Sequence, residues 1–556
     1  YDLSVVLKTL ATKFDQLSAA DRRRAQRVLA RPTSQAEANP DEEVYSVPEA
    51  QPVCGSHFCI HYVPATADAP SMTSMDGDAT PDYVQIMLRE FENVYEVENV
   101  QLGWRAPKPD GGRGGNDLTD VYIKNVGPQG IFGYSAPDIA DARQGGNHWS
   151  AYLVMDNDYR QQEFARYSDF LAPLQVTAAH EYNHVLQYTY DSQADSWMFE
   201  ATATWMEDRV YDDINDYVSY LNKWRDQSTV PLTRFLQDDP GGENAKVYGD
   251  AVWNRWIDEH LGADTVRRAW EVSAETKSFA PASYDKALSE KGQTFAGVFA
   301  QFAAETAEWR SASNLFEEGS TFPDMKRALD GSLPPQNVSG DRNDFVEGGL
   351  DHTAFALVDV NPRGQDELTL GGTFRRGVSG AIALVGRTGG DTGGIATVRV
   401  TRLPRGGAGR VTLSNASSFS RVTAVMINAD TAAAGWSEQL RDWLWLGDGE
   451  PITFAVNDFT QPKLSRATAK RSQVTLKFSE AVTGLSAQSV RLTGPNGRRV
   501  RLKAIRQSQD GRTVKLVSTR RLSAGGRFAL KLTNRVTDPG GNILPSSSRT
   551  NRFFAR

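Results

Sequence analysis

A chain of 556 residues is too long for one hydrophobic core, since single cores stop growing near roughly 250–300 residues, and about three or four domains are expected. Forty per cent hydrophobic and 23% charged residues, with 12 Trp, 18 Tyr and 24 Phe, exclude a disordered or collagen-like chain, and no apolar run is long enough for a membrane-spanning helix. The net charge of −8 hides an asymmetry: from Gln461 onward 21 Lys and Arg face three acids, so the first 460 residues hold 40 bases and 66 acids, a net of −26.

The chain opens on Tyr1 rather than on Met with an apolar leader, so the numbering is expected to begin after a removed signal. Residues 1–31 read as a helical pair, with Leu3, Val6, Leu7, Leu10, Phe14 and Leu17 at helical spacing and Ser18 able to cap a second helix. Residues 32–50 carry Pro32, Pro40 and Pro48 among many acids. Such a stretch buries little, so residues 1–50 are expected to be a tethered helical extension or a pro-segment.

The only two cysteines, Cys54 and Cys59, are separated by four residues, which fits neither a redox C-x-x-C nor half of a four-ligand zinc site. A local disulfide is expected, and with it an oxidising, extracellular compartment. Short β-like runs at Phe58–Val63, Val121–Lys124 and Ala151–Met155 surround a helix from Asp82 to Asn99, whose Val84, Met87, Leu88, Phe91 and Tyr95 share a face. Within this stretch Asp76, Asp78 and Asp82 place three carboxylates in seven residues, the makings of a calcium (Ca2+) loop without the complete EF-hand pattern. From 161 to 330 the pattern turns helical, as in Tyr248–Leu261 with Trp253, Trp256 and Ile257 before the Gly262 stop.

Alternating segments broken by glycine-rich turns follow, among them Ala381-Ile-Ala-Leu-Val and Val422-Thr-Ala-Val-Met-Ile, then Val474-Thr-Leu-Lys-Phe and Phe528-Ala-Leu-Lys-Leu. They predict two β-sandwiches, over 340–460 and 462–556, joined by a linker at Asp458–Pro462, after a mixed domain over 51–335 that holds the candidate site residues below. The basic last module could bind an anionic cell-surface polymer, while its few aromatics (Phe478, Phe528, Phe553, Phe554) argue against specific nucleic-acid binding.

The chemistry-bearing string is His180-Glu181-Tyr182-Asn183-His184. On a helix, histidines at i and i+4 project from one face and can bind one zinc ion (Zn2+), while Glu181 sits beside the metal, turned too far to be a ligand but placed to take a proton from water. The flanks lack Pro and Gly, and Val176, Ala179, Val185 and Leu186 would bury the opposite face. A third ligand is required, and Glu200 is the candidate: in Ser196–Asp208 it shares a helical face with Ala203, Thr204 and Glu207, the small Ala203 and Thr204 permitting close approach. Glu207 competes for that role, although two acids seven residues apart more often divide into a ligand and a partner holding a ligand in place. His57, His61 and His148 are left out of catalysis.

His180-Glu-Tyr-Asn-His followed by Trp197-x-x-Glu200-x-x-Ala203 resembles the gluzincin metallopeptidases, especially the peptidase-MA-like group, in which a tryptophan precedes the ligand glutamate. His57-Phe-Cys-Ile-His-Tyr-Val, Pro81-Asp-Tyr-Val, Leu102-Gly-Trp-Arg, Asp120-Val-Tyr-Ile and Val247-Tyr-Gly-Asp-Ala extend the resemblance to secreted bacterial metalloproteases over residues 25–460. It implies an α+β zincin fold whose edge strand pairs with an extended peptide. Trp149–Met155 is placed there, with Ala151, Tyr152 and Leu153 as substrate-binding residues. It also implies a tyrosine or histidine on the oxyanion, for which Tyr248 stands in the matching position. The chain departs from some gluzincins four residues after Glu200, where Thr204 replaces an Asp that would orient a ligand. Phe478-Ser-Glu-Ala-Val and Val536-Thr-Asp-Pro-Gly-Gly-Asn resemble bacterial Ig-like domains, which act as spacers or tethers.

The expectation is a secreted zinc endopeptidase cleaving protein or peptide substrates. Two alternatives stand beside it: a cell-surface adhesin or scaffold with a structural or vestigial zinc site, and a zinc hydrolase of non-peptide substrates.

Overall fold

The computed structural model describes residues 3–33, 44–75, 77–144, 146–160, 164–235, 245–327, 336–337, 343–345, 349–362, 364–374, 377–403, 407–433, 435–439, 441–444, 447, 449–450, 452–456, 461–508, 510–539 and 541–555. Asp76 and the first three residues of the expected Asp458–Pro462 linker lie outside them. The chain is multidomain, combining a mixed α+β part with β-sandwiches, and divides into two compact units. The first comprises Tyr1–Trp224, Thr233–Gln293 and Ala433–Trp445, the second Arg225–Leu232, Thr294–Ala432 and Leu446–Arg556.

The first unit begins with helices α1 (Leu3–Thr12) and α2 (Ala19–Val28), the latter capped by Ser18, whose side chain accepts from the Asp21 amide. The face α1 buries coincides only in part with its apolar stripe. Ser4, Val5, Leu7, Lys8, Ala11 and Thr12 are buried while Val6 is 38% exposed, so α1 is packed into the unit by a partly polar face and is not the loose tether expected. Strands β1 (Val53–Cys54) and β2 (Phe58–His61) follow, clipped by the Cys54–Cys59 disulfide.

Helix α3 (Asp82–Tyr95) buries Val84, Met87, Phe91 and Val94 at helical intervals and runs on into a wider π-turn, Glu96–Gln101, which carries Glu98 inward. Strands β3 (Thr119–Lys124) and β4 (Gly133–Pro137), helix α4 (Ile139–Gln144) and strand β5 (Ala151–Asp156) complete a five-stranded sheet of order β1-β2-β3-β5-β4. Here β2, β3 and β5 run parallel and β4 runs antiparallel to β5, Ser135 facing Leu153. This corrects the substrate-edge expectation. Ala151, Tyr152 and Leu153 lie on a strand paired on both sides and buried throughout, as its unbroken apolar run suits, and the edge strand beside it is β4.

Helices α5 (Leu171–Asp191), α6 (Ser196–Val210), α7 (Val218–Trp224), α8 (Ala245–Gly249), α9 (Ala251–Leu261), α10 (Ala263–Thr276) and α11 (Ala280–Glu290) form the rest. Helices α5 and α6 are buried almost all round. Edge strand β4 lies close on α5 because Gly133 has no side chain: a Cβ there would come within 2.8 Å of Thr177 Cγ2 and 2.9 Å of the Val154 carbonyl. A hairpin of Gly435–Ser437 and Asp442–Leu444 returns to this unit, where Trp443 packs at 5.8 Å from Phe279 and Asp442 accepts from Ser196 Oγ at 2.7 Å.

The second unit opens with α12 (Phe295–Thr306), which buries Phe295, Val298, Phe299 and Phe302, the Phe299 ring lying 6.3 Å from Phe355 of a sheet strand. The expected boundary near 335 therefore falls at 293, because the apolar face of α12 is spent on the sheet. Two sheets, five-stranded and four-stranded, enclose one core that includes Leu368, Leu370, Ile382, Leu384 and Phe454. A four-stranded and a three-stranded sheet enclose another with Val474, Leu476, Leu516, Phe528 and Leu530, the alternation along Gln473–Phe478 and Arg527–Leu532 separating core from solvent.

Candidate metal centre

Helix α5 carries His180, Glu181 and His184, and α6, packed against it, carries Glu200 and Glu207. The 3.6-residue period puts His180 and His184 on one face, their rings 4.7 Å apart, and the small Ala203 and Thr204 let α6 approach. His180, His184 and Glu200 each bring one ligand atom to within 4.8 Å of the others, all three residues buried, and His180 Nε2 lies 3.4 Å from Glu200 Oε2.

The outer nitrogen of each ring is engaged. His180 Nδ1 is bonded to Glu207 Oε1 at 2.7 Å, and His184 Nδ1 to Gln187 Oε1 at 2.7 Å. The second bond fixes a tautomer. Gln187 Nε2 donates to the Phe199 carbonyl at 3.0 Å and to Asn183 Oδ1 at 2.7 Å, and a backbone carbonyl can only accept, so the atom facing His184 is the amide oxygen. His184 Nδ1 therefore carries hydrogen, and its Nε2 is the ring's lone-pair nitrogen, the one able to ligate a cation. Burial pushes the Glu207 carboxyl up to about 7, against the opposing pull of its His180 bond. Two imidazoles and a buried carboxylate converging on one point, with both rings held from behind, fit a bound transition metal. Thr204 is fully buried and its hydroxyl has no hydrogen-bond partner among the described atoms.

A further layer locks α5. Asn183 Nδ2 donates to Glu98 at 2.8 Å and the Tyr182 hydroxyl to Asn99 at 2.8 Å, so the π-turn after α3 grips the helix between its two histidines. Burial holds the Glu98 carboxyl well above the ordinary range, ahead of the lowering effect of Asn183.

Glu181, the residue after His180 on α5, is buried, and Ser4 Oγ of α1 donates to its Oε2 at 2.8 Å. The same hydroxyl accepts from the Ser135 amide on β4 at 2.9 Å, and the Tyr188 hydroxyl donates to the Ser4 carbonyl at 3.2 Å. Tyr248 is half-buried in α8, its ring 6.3 Å from that of His180 and 4.9 Å from that of Tyr220. Ser4, Ser135 and Gln187 were not singled out from the sequence. Only Gln187 had a signal there, its i+3 spacing from His184.

The other expected features lie elsewhere. His57 stacks on Tyr95 at 3.5 Å and bonds Glu92, His61 bridges Glu49 and Asp120 at 2.9 Å each, and His148 meets the Thr189 carbonyl. Asp78 and Asp82 accept from the amides of Thr80 and Met75, as carboxylates in a turn do. Cys54 and Cys59 are joined, and Asn116 Nδ2 reaches Cys59 Sγ at 3.0 Å.

No protein-family model and no curated protein matches the chain. Among solved structures, the S-layer protein rSbsC (residues 31–844) aligns with 85% of this chain at 10% identity and a TM-score of 0.16, the match spanning 46% of that protein's length. A calcium-binding mutant of Bacteroides uniformis beta-glucuronidase 2 aligns with 36% of this chain and 26% of its own, at 10% identity and a TM-score of 0.10. Both TM-scores are too low to carry a likeness of fold.

Proposed function

We propose that the chain is a zinc-dependent endopeptidase of zincin type whose metal ligands are His180, His184 and Glu200. The observation that carries this reading is the buried three-residue cluster, with the buried Glu181 next to His180 in sequence. Zinc suits a donor set of two imidazoles and a carboxylate, and when bound it supplies a Lewis acid that polarises a carbonyl and acidifies water.

The chain's own residues do the rest. Glu207 and Gln187 orient the two rings so that Nε2 of each faces the cluster. Glu181 takes a proton from the attacking water and passes it to the departing amine nitrogen. The Tyr248 hydroxyl donates to the carbonyl oxygen as charge develops on it. Edge strand β4, once its Ser135 amide is released from Ser4, offers backbone groups with which an extended peptide pairs irrespective of its side chains, and this favours a peptide over a glycan or small ester.

The disulfide favours action outside the cytosol, and no helix among the described residues is long and apolar enough to cross a membrane. The basic module from Gln461 onward suits attachment to an anionic cell-surface polymer.

Metal analysis and hydrolysis of a fluorogenic peptide library test the proposal together. About one zinc per chain is expected, lost in His184→Ala. Glu181→Gln should keep the zinc and lose at least about 100-fold in turnover, the range general acid–base groups contribute. A Gln variant of undiminished activity removes the assigned base, and a zinc-free wild type removes the function.

A further inference from the structure

We infer that α1 is a built-in inhibitor that occupies the substrate cleft and holds the peptidase site shut through Ser4; the inference rests on the peptidase reading above. Three observations point the same way.

The first is the face α1 chooses to bury. Beside Val5, Leu7 and Ala11, this face takes the polar Ser4 and Lys8 down to 1% and 2% exposure while the apolar Val6 is left at 38%. The buried polar groups are matched to polar groups of the site. Lys8 Nζ donates to the Ala194 carbonyl at 2.7 Å and to Ser196 Oγ at 3.3 Å, at the turn between α5 and α6, and lies 4.4 Å over the Phe199 ring. Phe199 precedes Glu200 and supplies the carbonyl that orients Gln187.

The second is what Ser4 joins. Its hydroxyl donates to the Glu181 carboxylate and accepts from the Ser135 amide. Those are the two groups the proposed reaction needs free, the acceptor for the proton of the attacking water and a β4 amide for the substrate backbone. A Glu181 carboxylate that accepts from Ser4 is a weaker base toward an attacking water, with α1 lying against it, and a peptide strand cannot use the single hydrogen of the Ser135 amide while the same hydroxyl holds it.

The third is that α1 cannot itself be a substrate in this arrangement. It is helical, so its carbonyls are turned into its own hydrogen bonds, and what it offers Glu181 is a side-chain hydroxyl instead of an extended peptide bond. A second anchor keeps the segment in place. Arg31, just after α2, is paired with Asp110 at 2.7 Å, with Asp138 at 3.0 Å and with Asp120, all four buried. The Tyr152 hydroxyl meanwhile donates to the Ala30 carbonyl.

The test uses the full-length chain and a fluorescent peptide hydroxamate as metal-directed probe, so that binding is read without turnover. Val5→Asp with Leu7→Asp, two positions buried on α1, should raise probe affinity at least tenfold over wild type, and a synthetic peptide of residues 3–17 added to that variant should compete with the probe. The same peptide with Ser4→Ala should compete several-fold less well. Ser4→Cys gives a second readout that does not depend on the double variant folding. Cys54 and Cys59 are bonded to each other, so maleimide reports the introduced thiol alone, and saturating probe should speed its labelling at least tenfold. Zinc in every variant with equal probe affinity, no competition by the peptide and unchanged labelling overturns the inference while leaving the peptidase reading intact. Absence of zinc from every variant overturns both.

Discussion

Gln187 offers a sharp test of how the centre is organised, because its amide performs two separable tasks. Its oxygen accepts from His184 Nδ1, and its nitrogen donates to Asn183 Oδ1 and the Phe199 carbonyl, all in a fully buried position. Gln187→Met, close in volume, removes both. Three buried polar groups then lose a partner, each at about 1–3 kcal/mol before relaxation, and a net destabilisation of about 2–4 kcal/mol is expected. The His184 ring also loses its tether, which costs about 10–100-fold in metal affinity, or about 1.4–2.7 kcal/mol. Gln187→Glu keeps an acceptor for His184 but has no donor for the other two groups, so it should lose stability while retaining metal affinity within about threefold of wild type. Competition titration with a zinc-chelating dye measures affinity, and urea denaturation of the metal-free protein measures stability. If Met and Glu weaken zinc binding equally, or if Met leaves it unchanged, the tautomer argument is wrong.

Three further outcomes follow from packing and charge. Gly133→Val should destabilise the first unit by about 1–3 kcal/mol, since the new side chain meets Thr177 and the Val154 carbonyl, and calorimetry of the variant reads this directly. Phe299→Ala should cost the second unit about 3–5 kcal/mol, seen as a lower denaturation midpoint, because α12 loses a fully buried ring. His61 is a proton-linked site: burial opposes its charge, yet the bonds to Asp120 and Glu49 prevail and raise its pKa above 6.5. The stability it contributes is therefore fully present below pH 6.5 and lost as pH rises through the folded value. Denaturation midpoints measured on both sides of that window should show a fall that His61→Gln abolishes.

Much of the candidate site was legible because it depends on local periodicity. The i and i+4 histidines, Glu181 and the face holding Glu200 and Glu207 need only a helix of 3.6 residues per turn, and that period does not depend on what lies opposite. Position within a sheet is a different kind of information. The apolar run at Ala151–Met155 reads as a strand, but whether it lies at an edge is decided by a neighbour, and that neighbour, Gly133-Tyr-Ser-Ala-Pro, has weak strand chemistry with a proline suited to a free edge. The burial of α1 was hidden for the opposite reason. Ser4, Lys8 and Thr12 look like a solvated face, and Ser4 and Lys8 are buried because their partners are polar groups far along the chain, at Ser135, Glu181 and Ala194. Unit boundaries were blurred where the chain leaves a unit and returns, as at 225–232 and 433–445.

That last return carries a consequence for how the protein is made. The first unit includes Ala433–Trp445, whose Asp442 accepts from Ser196, whose Trp443 packs on Phe279 and whose Arg441 reaches Asp15 at 3.0 Å. A nascent chain that has emerged only as far as Gln293 lacks this hairpin. At ribosomal speeds of about 5–20 residues per second, the unit waits roughly 8–30 s for its closing piece while the intervening stretch is synthesised. Its assembly is thus delayed until late in synthesis even though helices α5 and α6 emerge early, and a chain cut at Gln293 is expected to be a chaperone client instead of a stably folded unit.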